Sequence, residues 1–240
     1  VIGQDTGPTS TELSLKGDQT TVKAKLVVAA DGRRSTFAAN AGIAYTGWDY
    51  AQTSLVCALR HEKPHEGVAY QHFMPTGPLA ILPLTKNRAS IVWTETTENA
   101  KTIMSLDDKA YLDVLQSRFG DFLGDIAMAG KRFAFPLELS IAQSLIADRL
   151  ALVGDAAHGM HPIAGQGLNA GLRDIAALTQ IIHEAKQRGE DFGSTAVLPL
   201  FAYGMVGDEK KPPSYPLLRD HFARDEEFSS IFIFCKRAKK

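Results

Sequence analysis

Between Gly154 and Asn169 the chain reads Gly154-Asp155-Ala156-Ala157-His158-Gly159-Met160-His161-Pro162-Ile163-Ala164-Gly165-Gln166-Gly167-Leu168-Asn169, a carboxylate and two imidazoles among glycines. An acid just past a strand can accept hydrogen bonds from a polyol. Glycines at a helix start let backbone N–H groups approach an anionic or electron-rich ring edge, where the helix dipole favours negative charge. A second place of similar character is Asp31-Gly32-Arg33-Arg34-Ser35, directly after the apolar run Leu26-Val27-Val28-Ala29-Ala30. On residue types alone, both stretches read equally well as ordinary turns with good capping.

Both must be held by strands and helices. Thr21–Ala29 reads as the second arm of a hairpin that starts at Thr11 and turns at Lys16-Gly17-Asp18, an arm that ends in a fully buried strand, and Arg149–Val153 predicts a further buried strand. An Ala-rich helix follows Ser35 up to Gly42, and a long helix follows Gly165, with Leu168, Leu172, Ile175, Leu178 and Ile182 on one face. Between these halves, Gln52–Arg60, Val68–Met74, Leu79–Leu84 and Ala89–Thr94 are short β-like runs divided by Pro and Gly, which predicts an antiparallel sheet. Residues 105–119 space their apolar positions as a helix does, with Ser105 as cap and Gly120 as stop. The sequence contains no internal repeat.

Composition narrows the function. The 240 residues are 45% hydrophobic and 22% charged, which excludes disorder and collagen, and the length suits one large domain or two modest ones. A net charge of −1 lacks the footprint of a nucleic-acid binder. Two cysteines, Cys57 and Cys235, are too few for a disulfide scaffold and indicate a reducing compartment. No apolar run reaches the length of a spanning helix.

Other chemistries fit less well. His61-Glu62-Lys63-Pro64-His65 matches the zinc-protease pattern, yet Pro64 breaks the helix that would place both imidazoles on one face. Asp155, His158 and His161 have the residue types of an iron triad, but a glycine loop ending in proline scaffolds it poorly, and no metal is expected. There is no G-x-S-x-G elbow for a serine hydrolase. His72 and Trp93 fall on the middle strands and read as ordinary sheet residues or, less simply, as ring-stacking contacts.

The Gly154–Asn169 stretch resembles the second flavin-binding motif of the aromatic-ring hydroxylases, the single-component FAD monooxygenases. Its continuation from His161 to Asp174 is similar to the signature of their ubiquinone-biosynthesis branch, and Val27–Ser35 is similar to the family's Asp-Gly motif. Gln71–Leu84 and Ile91–Glu95 resemble the family's substrate-domain sheet. One departure is Ala38, where many relatives carry an Arg three positions after the serine; Arg33 or Arg34 is the available substitute.

The resemblance implies FAD as cofactor and NADPH or NADH as reductant. Asp31 and Gly32 would lie near the pyrophosphate and the nicotinamide path. Gly154, Asp155, His161, Pro162, Gly165, Gln166, Gly167, Leu168 and Asn169 would line the flavin site. Asp155 would bond the ribityl hydroxyls, the Gly167, Leu168 and Asn169 backbone would face the flavin N1/O2 edge, and His161 and Pro162 would lie near the reacting face. In the family the flavin ring lies between the 161–167 loop and the sheet. The oxygen chemistry belongs to the flavin, so no catalytic side chain is named. The implied reaction hydroxylates a polyprenylated phenol with O2, in the cytoplasm or peripherally at the inner-membrane face, beside other ubiquinone-biosynthesis proteins. The competing readings are a flavin monooxygenase for another phenol and a catalytically silent binding or assembly module.

The family's Gly-x-Gly-x-x-Gly turn has no counterpart here, because Gly3, Gly7 and Gly17 lack the spacing and the preceding strand, and the chain opens without Met. The expectation is an α/β fold: an incomplete FAD-binding Rossmann-like domain, lacking its N-terminal ADP-binding part, with an antiparallel-sheet substrate domain inserted. Its parts would be 1–48 and 145–198 for the cofactor, 49–144 for the substrate, and an irregular tail at 199–240. Such a chain would purify with little flavin. The tail run Ile231–Cys235 beside Lys236 and Arg237 reads as a weak interfacial anchor or a plain tail, and Cys235 does not fit a prenylation box.

Overall fold

The computed structural model describes residues 3–14 and 21–204. The expected turn at Lys16-Gly17-Asp18 and the tail beyond Gly204 lie outside the described residues. The chain forms two compact units, dividing at Trp48/Asp49 and again at Glu138/Leu139.

The first unit opens with β1 (Gly3–Thr6), β2 (Thr11–Ser14) and β3 (Thr21–Ala24), an antiparallel sheet in that order. Strand β4 (Val27–Ala29) follows. The single hairpin arm expected over Thr21–Ala29 is therefore two strands in two sheets. Its first part is largely exposed, and in its second part Val28 is open while Val27 and Ala29 are buried. A bend at Lys25 divides the arm, which residue types alone do not reveal. Helix α1 (Thr36–Asn40) begins at Ser35, whose Oγ accepts the Ala38 N–H at 3.1 Å. The long strand β5 (Tyr45–His61) then carries the chain into the second unit.

There, β6 (Tyr70–Met74), β7 (Gly77–Leu84) and β8 (Arg88–Thr96) join β5 in the antiparallel order β6–β7–β8–β5. Period-2 alternation sends Leu55, Cys57, Leu59, Leu79, Ile81, Ile91 and Trp93 to one face. That face is covered by α2 (Thr97–Ser105) and α3 (Asp108–Phe119) through Ile103, Tyr111, Leu115 and Phe119. Strand β9 (Ile126–Met128) pairs with β5. Ser105 closes α2 rather than capping α3. The cap is Asp107, whose Oδ1 accepts the Ala110 N–H at 2.8 Å, and Gly120 ends the helix at φ +82°.

Strand β10 (Phe133–Ala142) leads back to the first unit, followed by β11 (Ile146–Ala147), β12 (Leu150–Leu152), β13 (His158–Gly159), α4 (Gln166–Gln187) and α5 (Leu198–Gly204). Strand β12 lies between antiparallel β11 and parallel β4. Its three residues are fully buried in a core with Val27, Ala29, Ala38, Leu178, Leu198 and Phe201. Helix α4 departs from the expected apolar stripe: Leu178 is buried, whereas Leu168, Leu172 and Ile175 are exposed at 74%, 55% and 50%. The face that α4 turns inward runs instead through Gly171, Asp174, Leu178 and Ala185. Among the described residues no helix is long and apolar enough to cross a membrane.

Candidate functional site

Parallel pairing of β4 with β12 sets Leu150 beside Val27 and Leu152 beside Ala29. The loops that follow, Asp31-Gly32 and Gly154-Asp155, therefore leave the sheet side by side at its carboxyl end, where open α/β sheets place their ligand sites. Arg33 ties them together. Its Nε lies 3.3 Å from Asp155 Oδ2, and its Nη2 donates to the Met160 carbonyl at 3.0 Å. At this exposure the ion pair orients the two loops more than it stabilises the fold.

Asp31 Oδ2 accepts the Thr36 N–H at 2.9 Å and the Thr36 hydroxyl at 3.2 Å. Burial alone would raise its pKa, but hydrogen bonds from Ser35 and Thr36 outweigh that and hold it below the usual carboxylate range. Its carboxylate is thus engaged in fixing the start of α1. Gly32 has φ +86° with open space where a Cβ would stand, so the backbone there can be approached closely.

Gly154 and Asp155 open a 3-10 turn through Ala156. Tyr45 donates its hydroxyl to the Ala156 carbonyl at 2.7 Å, and Ala142 N–H bonds the Ala157 carbonyl at 2.8 Å. His158 follows on β13, buried, with Nε2 2.7 Å from Asp174 Oδ2. His161 Nδ1 accepts the Ile163 N–H at 3.1 Å and so caps a second 3-10 turn, Pro162–Ala164. Burial first, and the Arg33 charge second, lower the pKa of His161, which favours a neutral ring. Gly165 then takes φ +61° and begins α4 with no side-chain cap and no acidic residue in the first turn. The leading N–H groups, from Gln166, Gly167 and Leu168, have no intrahelical acceptor, and beside Gly167 a Cβ would meet nothing within 4 Å.

The sequence-predicted residues thus form two groups. Asp31 and Gly32 meet Gly154 and Asp155 across adjacent strands, while His161, Pro162, Gly165, Gln166, Gly167, Leu168 and Asn169 line the entry to α4. His158 faces Asp174 and His161 caps Ile163, and among the described residues no group of three His, Cys, Asp or Glu could hold a metal ion. In the second unit His61 Nδ1 lies 2.7 Å from the Lys63 carbonyl and His65 Nε2 2.8 Å from that of Leu84, so both staple loops. Sequence reasoning missed the loop-bridging role of Arg33, and missed the His158–Asp174 pair. The available signal was an acid, Asp174, at helical spacing between Gly171 and Leu178.

Burial disfavours the charged ring of His158, but the hydrogen bond and charge of Asp174 prevail and raise its pKa above the ordinary imidazole value. A raised folded-state pKa stabilises the fold fully below about pH 6.5 and loses that contribution as pH rises through the raised value. The melting midpoint should therefore fall from pH 6.5 upward by more in the wild type than in His158→Gln. Parallel curves for the two proteins would show that the pair does not titrate in this way.

A cleft lined by Gln4, Thr6, Asn40, Ala41, Ala147, Asp148 and Leu150 lies in the same unit. It includes Leu150, at the amino end of β12, and none of the residues of the two loops above.

Two neighbouring loops at the carboxyl end of a parallel strand pair, one running into an uncapped helix, form the kind of α/β arrangement in which ligands are commonly held. The FAD binding domain family matches residues 2–191, and the chain belongs to that family. The ubiquinone hydroxylase UbiL of Rhodospirillum rubrum is 48% identical over 181 residues, covering 75% of this chain and 42% of that protein. The 3-demethoxyubiquinol 3-hydroxylase of Escherichia coli is 36% identical over 197 residues, covering 82% of this chain and 50% of that protein. The chain spans about half the length of the curated relatives it matches. Among solved structures, p-nitrophenol 4-monooxygenase PnpA of Pseudomonas putida shares the fold with a TM-score of 0.67 at 18% identity, over 96% of this chain and 64% of that one. The flavin-dependent halogenase CmlS does so with a TM-score of 0.68 at 17% identity, over 85% and 39%.

Proposed function

We propose that this chain is the FAD- and substrate-handling part of an NAD(P)H-dependent monooxygenase that hydroxylates the ring of a polyprenylated phenol in ubiquinone biosynthesis. The observation that carries the reading is the family match over residues 2–191 together with relatives that are ubiquinone hydroxylases. The first unit (up to Trp48 and from Leu139) is the cofactor-binding part, and the second is the substrate-binding part. When bound, the flavin would take electrons from NADPH or NADH and deliver oxygen from O2 to the ring.

The protein's own residues then bind and orient. Asp155, half-exposed and steadied by Arg33, accepts hydrogen bonds from the ribityl hydroxyls. The uncapped first turn of α4, at Gln166, Gly167, Leu168 and Asn169, presents N–H groups and a positive dipole end to the N1/O2 edge. Gly165 in its left-handed conformation lets the backbone turn into that position, while His161 and Pro162 wall the approach. Asp31 and Gly32 shape the pyrophosphate side. Because the Asp31 carboxylate is engaged by Thr36, its part there is to hold the Gly32 turn and α1, a like charge being unsuited to meet phosphate directly. A polyprenylated substrate resides in lipid, so peripheral contact with the inner-membrane face and with other enzymes of the same biosynthesis belongs to this reading.

Titrating the chain with FAD and following flavin fluorescence tests it. Asp155→Ala is expected to weaken binding about tenfold while leaving the melting midpoint nearly unchanged, as befits the loss of a charge-assisted hydrogen bond at a half-exposed site. An unchanged dissociation constant would remove Asp155 from the cofactor site.

A further inference from the structure

Asp174 is a buried carboxylate to which the cofactor reading gives no part. It stands on α4 one turn after Gly171 and one turn before Leu178, so the three share the inward face of the helix. Gly171 allows close approach: a Cβ there would lie 3.2 Å from the Gly154 Cα. Across that contact Asp174 Oδ2 accepts the Gly154 N–H at 2.7 Å and meets His158 Nε2 at 2.7 Å. One oxygen atom thus pins both ends of the turn that carries Asp155, with Gly154 before it and His158 after it.

The energetics argue against simple packing. Asp174 is 1% exposed, and both its Oδ1 and His158 Nδ1 are buried without a hydrogen-bond partner among the described residues. An apolar pair would join a helix to a loop at lower desolvation cost. What an acid adds is direction, since its Oδ2 fixes the Gly154 amide, and with it the left-handed φ of +60° from which Asp155 projects.

We propose that Asp174 and His158 are positioning residues for Asp155, holding the Gly154–Ala157 turn so that the Asp155 carboxylate stands where a ribityl hydroxyl reaches it. The inference rests on the cofactor reading above, and it concerns residues that touch no part of the cofactor.

A double-mutant cycle on the whole chain separates the two ideas, with FAD titrated by fluorescence quenching and the melting midpoint recorded for each variant. Asp174→Asn keeps the size of the side chain and an acceptor for the Gly154 N–H, but loses the charge that holds His158. It should weaken FAD binding severalfold and by no more than the roughly tenfold of Asp155→Ala, because its effect reaches the cofactor only through the placement of the Asp155 carboxylate. If Asp174 acts through Asp155, the double variant binds only slightly more weakly than Asp155→Ala alone. Leu178→Ala, one turn further along the same face, provides the structural control: it should lower the melting midpoint at least as much as Asp174→Asn, yet leave FAD affinity within about twofold. The inference is overturned if Asp174→Asn leaves affinity unchanged, if the two single effects multiply, or if Leu178→Ala weakens binding as much. If Asp155→Ala itself has no effect, the placement of the cofactor falls together with the inference.

Discussion

Arg149→Met is expected to cost the first unit about 3 kcal/mol or more, the scale for stranding the partners of a buried charged group. Arg149 is 1% exposed and occupies the turn between β11 and β12 with φ +52°, a left-handed conformation that disfavours any residue but glycine. Its guanidinium offsets that cost by reaching segments far apart in the chain. Nε donates to the Gly7 carbonyl at 3.2 Å and Nη1 to the Lys25 carbonyl at 2.8 Å, while Nη2 bonds the Pro8 carbonyl and the Asp191 carboxylate. Gly193 completes the fit, since a Cβ there would sit 2.1 Å from the Lys25 oxygen. Methionine fills similar volume and satisfies none of the three carbonyls. Arg149→Lys retains the charge without the planar fork and should recover less than half of the loss. Urea denaturation gives the values, and a loss under about 1 kcal/mol for Arg149→Met would show that water replaces the guanidinium at little cost.

Trp93→Ala should be comparably damaging in the second unit, at about 4 kcal/mol. The ring is fully buried, 5.9 Å from that of Tyr111 on α3, and it carries the Arg118 guanidinium at 5.9 Å. Truncation leaves a large cavity under the sheet, and it also removes a donor from a buried acid, because Trp93 Nε1 bonds Glu95 Oε1 at 3.1 Å. Glu95 would then depend on Asn99 at 3.3 Å and Arg118 at 3.6 Å. Trp93→Phe keeps most of the volume but not the donor, so it should cost about half as much. Equal denaturation midpoints for wild type and Trp93→Ala would contradict the core role. Full burial also keeps this indole from stacking on a ligand, whereas His72, opposite Leu79, is half-buried at the sheet margin.

The sequence foretold elements better than it foretold their joints. The Leu150–Leu152 strand was legible because every residue in it is apolar, and the start of α4 was legible because Gly165 and Gly167 announce a turn into a helix. The cap of α3 was misplaced because Ser105 and Asp107 are both good caps; only the bond from Ala110 N–H to Asp107 Oδ1 distinguishes them. The apolar stripe of α4 illustrates a different limit. Periodicity groups Leu168, Leu172, Ile175 and Leu178 in one stripe, but burial depends on what lies opposite, and in this chain the inward face runs through Gly171, Asp174 and Leu178 while Leu168, Leu172 and Ile175 stay exposed.

For the candidate site the division follows the range of the forces. Sequence alone determined the strand-loop-helix units around Asp31 and Asp155, since strand propensity, glycine torsions and helix starts are settled among near neighbours in the chain. Only the tertiary structure decided that Arg33 meets Asp155, 122 positions away, and that one Asp174 oxygen holds both Gly154 and His158. Those meetings are consequences of β4 pairing in register with β12 and of Gly171 admitting α4 against Gly154. Sheet register and close packing arise between segments remote in sequence, and no local pattern of residue types encodes which of them will touch.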